Sequence, residues 1–133
     1  MTAVRAPGVD EPPRPNMFSN ARVMGDQIFV SGLHAGDGEG GILGDGSTYD
    51  QAKQALTKIQ KLVEAAGGVM DDLVVLRLYL TDIDEKAEVG SARAEFFTGE
   101  FPCSTLVQVS ALVDPRLTVE IEAQGVLGTS ASR

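Results

Sequence analysis

Few residues in this chain have both the type and the spacing for chemistry. Val119, Ile121 and Ala123 alternate with Glu120, Glu122 and Gln124, the two-residue period of a half-buried strand. Two carboxylates therefore share one strand face, and their mutual repulsion raises the pKa of one of them, as general acid–base work near neutrality requires. The alternative is a pair of carboxylates that accept hydrogen bonds or meet cations across an interface. Cys103 beside Ser104, with the single histidine His34 as base, would make a nucleophilic pair, but no third group is placed to orient it. Cys103 then reads as a small lining residue and His34 as a loop residue. A lone cysteine excludes an internal disulfide and supplies no CxxC metal pair.

Positioning these groups is the work of the surrounding elements. Residues 22–24 and 27–31 read as two short strands joined by a Gly25-Asp26 turn. Thr48 with Gln51 forms a capping-box pattern ahead of a helix whose apolar stripe is Ala52, Ala55, Leu56, Ile59, Leu62, Val63 and Ala66, and Gly67-Gly68 stops it. Lys53, Lys58 and Lys61 are expected on its solvated face. In the next strand Val74, Leu76, Leu78 and Leu80 fall on one side and Val75, Arg77 and Tyr79 on the other, so Arg77 points away from the helices. Asp82 or Asp84 caps a second helix that runs to about Phe97. Val107, Val109 and Ala111 alternate with polar residues and, across a turn at Val113–Arg116, pair as an antiparallel hairpin with the Glu120 strand.

The order β-β-α-β-α-β-β predicts an α+β domain with both helices on one face of a mixed sheet. The opposite face, carrying Arg77, Gln108, Glu120 and Glu122 among apolar neighbours, is too polar for a core and calls for self-association. Residues 1–16, with four of the six prolines, are expected to be a flexible arm, residues 17–127 a single domain and residues 128–133 a disordered tail. The glycine-rich loop at residues 34–46 lacks the Lys-Ser/Thr of a phosphate loop and the spacing of an EF-hand, and reads as a solvated loop with no metal.

At 133 residues the chain has room for one core. Its net charge of −8 opposes nucleic acid and anionic membranes, and no apolar run reaches the roughly 18 residues of a spanning helix. With no secretory core at its start, a cytoplasmic protein is expected.

Residues 18–32 (FSNARVMGDQIFVSG), 64–82 (EAAGGVMDDLVVLRLYLTD), 94–112 (AEFFTGEFPCSTLVQVSAL) and 119–123 (VEIEA), in that order, resemble the RidA/YjgF family of reactive-intermediate deaminases. The resemblance implies a chorismate-mutase-like α+β fold, a homotrimer whose sheets pack into a central barrel, and three inter-subunit clefts. It further implies cofactor-free hydrolysis there of small imines or enamines to 2-oxo acids and ammonia, amino-muconate-type metabolites being related candidates. The family's glutamate, which places the attacking water, falls on Glu120, and the cleft on Phe18, Ser31, Gly32, Cys103 and Ser104.

Two positions depart from the family pattern. Where the family has the arginine that grips the substrate carboxylate, this chain has Ser104, which offers one neutral hydrogen bond in place of a charged bidentate fork. Phe18 replaces a tyrosine. Arg77, on the cleft side by strand parity, is the candidate substitute cation, the alternative being a structural ion pair with Glu120 or Glu122 inside the trimer. The loss of the arginine predicts little acceleration of ammonia release from 2-aminoacrylate, and it opens a rival reading: a non-catalytic trimer that binds a small carboxylated metabolite. A nucleic-acid role, the older description of some family members, is opposed by a charge that a trimer would triple.

Overall fold

The computed structural model describes residues 2–130. Strands β2 (Ala21–Met24) and β3 (Gln27–Leu33) form the expected hairpin, closed by Gly25 at φ 61°, where a left-handed residue is needed. Helix α1 (Thr48–Ala65) follows, then β4 (Leu73–Leu80), α2 (Lys86–Ala94), β5 (Cys103–Gln108) and β6 (Val119–Val126). Both helices lie against one face of the sheet. Leu56, Ile59 and Leu62 of α1 and Val89 and Ala92 of α2 join Leu76, Leu78, Leu80, Ile28, Val30 and Ile121 in one core.

Strand parity holds as read from Leu76 to Leu80, but Val74 is exposed because β4 shifts register against β6 between Leu73 and Val75, and two further expectations also fail. With β1 (Thr2–Val4), the sheet order is β1-β2-β3-β6-β4-β5. The β5–β6 hairpin is therefore absent: β5 runs parallel to β4 at the edge, and β6 enters between β3 and β4, antiparallel to both. The physical reason is the β4–α2–β5 crossover, which places a parallel strand on the far side of β4 and leaves the slot beside β3 for β6. Alternation determines which face a residue takes, not which strand it pairs with.

The segment expected to be a flexible arm is structured. Its first strand, β1, pairs antiparallel with β2, Ala6 and Val9 are buried, and the Asp10 carbonyl accepts from Asn20 Nδ2 at 2.9 Å. Of the expected disordered tail, Gly128 and Ser130 donate their backbone N–H groups to the buried carboxylate of Asp72, at 3.2 and 2.9 Å, while residues 131–133 lie outside the described residues.

Local capping also differs. Ser47, not Thr48, caps α1, accepting from the Asp50 N–H at 3.1 Å. Thr48 and Gln51 are buried instead: Gln51 donates to Arg116 O at 3.0 Å and accepts from Thr118 N at 2.9 Å, tying α1 to the start of β6. Asp82 caps a 3-10 turn (Ile83–Glu85) that leads into α2, and α2 ends at Ala94, short of the buried Phe97.

Candidate functional site

The polar face of β6 meets an irregularity in β3. Pairing runs in register from Gln27↔Val126 to Val30↔Ala123 and then shifts before Leu33↔Ile121, so Ser31 and Gly32 form a bulge opposite Glu122, two residues along β6 from Glu120. A Cβ on Gly32 would lie 2.4 Å from Glu120 Oε2 and 2.8 Å from its Cδ. Glycine is what lets the carboxylate seat there. Half-buried in this position, Glu120 has its pKa raised, first by desolvation and then by the charge of Glu122. Glu122 itself accepts from the Tyr79 hydroxyl. The bulge also fixes the approach from the N-terminal side: Ser31 N donates to Asn20 O at 2.8 Å and Ser31 Oγ to Ser19 O at 2.6 Å, which sets the backbone beside Phe18.

Phe18 and Gly32 line a cavity of about 390 Å³, together with Met17, Pro12, Pro13, Leu33, His34, Ile42, Lys58 and Leu117. The structured N-terminal segment forms one of its walls. Two groups here were read from the sequence as bland. Lys58, expected on the solvated face of α1, is 5 % exposed, with Nζ 2.6 Å from Gly36 O and 3.3 Å from Asp10 Oδ1. Its position three residues after Ala55 and four before Leu62, on the apolar stripe, was the available signal. His34 Nδ1 accepts from the Gly36 N–H at 3.0 Å, which leaves Nε2 to carry the proton of the neutral ring. Burial and then Lys58 lower its pKa, against the opposing charges of Asp10 and Asp114.

The remaining candidates lie elsewhere. Ser104 is in register with Leu76 and Thr105 with Arg77, so Ser104 faces the helix side of the sheet and Arg77 the opposite side. Arg77 therefore does not stand in for an arginine at position 104 within one chain. Within one chain no carboxylate among the described residues is in ion-pair distance of Arg77, and cross-strand Glu122 is engaged by Tyr79, so an ion pair with Glu120 or Glu122 would have to form across a subunit boundary. Ser104 instead accepts a hydrogen bond from Arg93 Nη1 at 2.8 Å, a partner that sequence reasoning missed because nothing in the linear pattern of α2 points to β5. Cys103 is exposed on β5, and two strands separate that edge from β3 and His34, so the chain by itself makes no Cys–His pair.

Among the described residues no group of three metal-ligating side chains comes together. The acidic residues of the glycine-rich loop bind their own backbone instead: Asp37 Oδ1 accepts from Glu39 N at 2.7 Å and Gly41 N at 2.9 Å, and Asp45 Oδ1 from Ser47 N at 2.8 Å.

Comparison with known proteins agrees with this geometry. A family model described as endoribonuclease L-PSP matches residues 9–127. A RutC family protein from Pyrococcus horikoshii is 33% identical over 106 residues, covering 80% of this chain and 83% of its own. A 2-iminobutanoate/2-iminopropanoate deaminase from Capra hircus is 35% identical over 117 residues, covering 86% and 85%. Among solved structures, a Pseudomonas aeruginosa protein of unknown function superposes with a TM-score of 0.87 at 36% identity, covering 99% of this chain and 96% of its own. A Mycobacterium tuberculosis member of the YjgF/YER057c/UK114 family does so with 0.74 at 32%, covering 83% and 86%. Sequence motifs, sheet order and these matches converge on one assignment: the chain belongs to the RidA/YjgF family.

Proposed function

We propose that the protein hydrolyses a small 2-imino or 2-enamino acid to the 2-oxo acid and ammonia, in the cytoplasm, as a cofactor-free homotrimer with its sites at subunit boundaries. The observation that carries this reading is the Glu120 carboxylate seated against Gly32, half-buried and with a raised pKa, beside a cavity lined by Phe18 and Gly32. A carboxylate in that setting positions a water and takes its proton as the oxygen attacks the imine carbon. The C=N π electrons move to nitrogen, which is protonated. The remaining hydroxyl proton passes to that nitrogen as the C–N bond breaks, so ammonia leaves and the C=O remains. A trimer is supported by the uncovered sheet face, where Arg77, Glu120 and Glu122 stand with Val107, itself 41% exposed.

The rival reading, a trimer that binds a carboxylated metabolite without turning it over, is favoured by Ser104 alone, since a hydroxyl cannot replace a guanidinium fork. One experiment separates the two. Imino acids are generated in situ by an amino-acid oxidase and ammonia release is followed with wild type and Glu120→Gln. Acceleration by wild type that Glu120→Gln removes supports the hydrolase. No acceleration by wild type, with 2-oxobutanoate still bound, supports the rival.

A further inference from the structure

Arg93 stands out among the cations of an acidic chain. It lies in the last turn of α2, its Nη1 donating to Ser104 Oγ at 2.8 Å. Despite a net charge of −8, no carboxylate among the described residues is within ion-pair distance of it. Glu95, its neighbour along the chain, is held by Lys53 at 3.4 Å and by the Tyr49 hydroxyl. A guanidinium carries five N–H donors. The neutral Ser104 hydroxyl takes one and steadies the group without neutralising it. One turn earlier in the helix stands Gly90; a Cβ there would lie 3.9 Å from Arg93 Nη2, in ordinary contact, so a side chain longer than that of alanine would crowd the head group. A partly exposed guanidinium with a free donor edge and a fixed orientation is built to receive a planar, bidentate anion.

We propose that Arg93, steadied by Ser104, is the residue that binds the substrate carboxylate. The assignment rests on the imine-hydrolysing reading above and supplies the cation that position 104 lacks. It also requires two copies of the chain. Ser104 pairs with Leu76, Glu120 pairs with Tyr79, and β4 lies between their strands. Three residues along the strand and two strand spacings across put their backbones about 14 Å apart, on opposite faces. A 2-imino acid spans only a few ångströms, so the clamp of one copy serves the Glu120–Gly32 seat of another.

The test uses wild type, Arg93→Gln, Arg93→Lys and Gly90→Gln, each checked for folding by thermal melting. Two quantities are read: the Kd for 2-oxobutanoate by ligand-observed NMR, and KM and kcat for ammonia release from 2-iminobutanoate. Loss of a charge-assisted bidentate contact weakens binding and raises KM about 10- to 100-fold in Arg93→Gln, with kcat changed less. Arg93→Lys falls between, because it keeps the charge and loses the fork. Gly90→Gln, which fills the guanidinium's space with Arg93 intact, reproduces the loss. Kd and KM within twofold of wild type in a folded Arg93→Gln overturn the clamp and leave the hydrolase reading standing. A wild type that neither binds 2-oxobutanoate nor releases ammonia refutes the hydrolase reading itself, and the clamp with it.

Discussion

Replacing Gly32 by alanine isolates what the seat of Glu120 does. The new Cβ would stand 2.4 Å from Glu120 Oε2, 2.8 Å from Cδ and 3.0 Å from Cγ, against an ordinary contact that begins at 3.4 Å. The carboxylate must therefore retreat by about 1 Å, a displacement that in a preorganised site costs on the order of 10²-fold in rate. Folding is affected little. The obstacle is the free end of a flexible side chain rather than backbone, so Glu120 rotates toward solvent and stability changes by less than about 1 kcal/mol. Exposure also removes the desolvation that raises its pKa, which returns toward the ordinary carboxylate value. The assays are ammonia release under saturating imino acid, a denaturant melt, and a ¹³C-detected titration of the Glu120 carboxyl. A folded Gly32→Ala protein with kcat within threefold of wild type, or with an unmoved Glu120 titration, refutes the reasoning.

The other glycine of this sheet region responds in the opposite way. A Cβ on Gly125 would meet Asp72 O at 2.5 Å and Leu73 Cα at 2.9 Å, backbone atoms that cannot rotate away, so Gly125→Ala destabilises by about 1–3 kcal/mol; an unchanged denaturation midpoint would contradict this. Glu122→Gln keeps an acceptor for the Tyr79 hydroxyl but removes the repulsion that helps raise the Glu120 pKa. Because the folded pKa lies above the ordinary 4.5, the native state holds an extra proton in that window and this group's contribution to stability falls as pH rises through it. The substitution narrows the window, so the acidic limb of the activity profile moves to lower pH, as a kcat/KM profile would show. For His34 the sign is reversed: with its pKa lowered below 6.5, the unfolded chain binds more protons, so stability is lost as pH falls through 6.5 and His34→Gln flattens that part of the curve. Lys58→Met removes the bonds to Asp10 and Gly36 O that tie the N-terminal segment to α1. It should cost about 1–3 kcal/mol and speed tryptic cleavage at Arg5, and an unchanged cleavage rate would count against the tether.

What the linear order of residues determined was which face each side chain takes. Alternation at Leu76–Leu80 and Val119–Ala123 requires one buried and one outward side whatever the neighbours are, so the core, the outward Glu120 and the family motifs were all legible. Only the tertiary structure decided which strand lies beside which. Periodicity carries no information about partners, so it suggests a β5–β6 hairpin where the folded chain places β6 between β3 and β4. The same holds for contacts made across elements. Lys58 is buried because the N-terminal segment folds over it, Gly32 matters because the β3 bulge sets it against the Glu120 side chain, and Arg93 reaches Ser104 because the crossover brings the end of α2 to β5. Each depends on two segments distant in sequence arriving at one place, which is a property of packing and not of any local pattern.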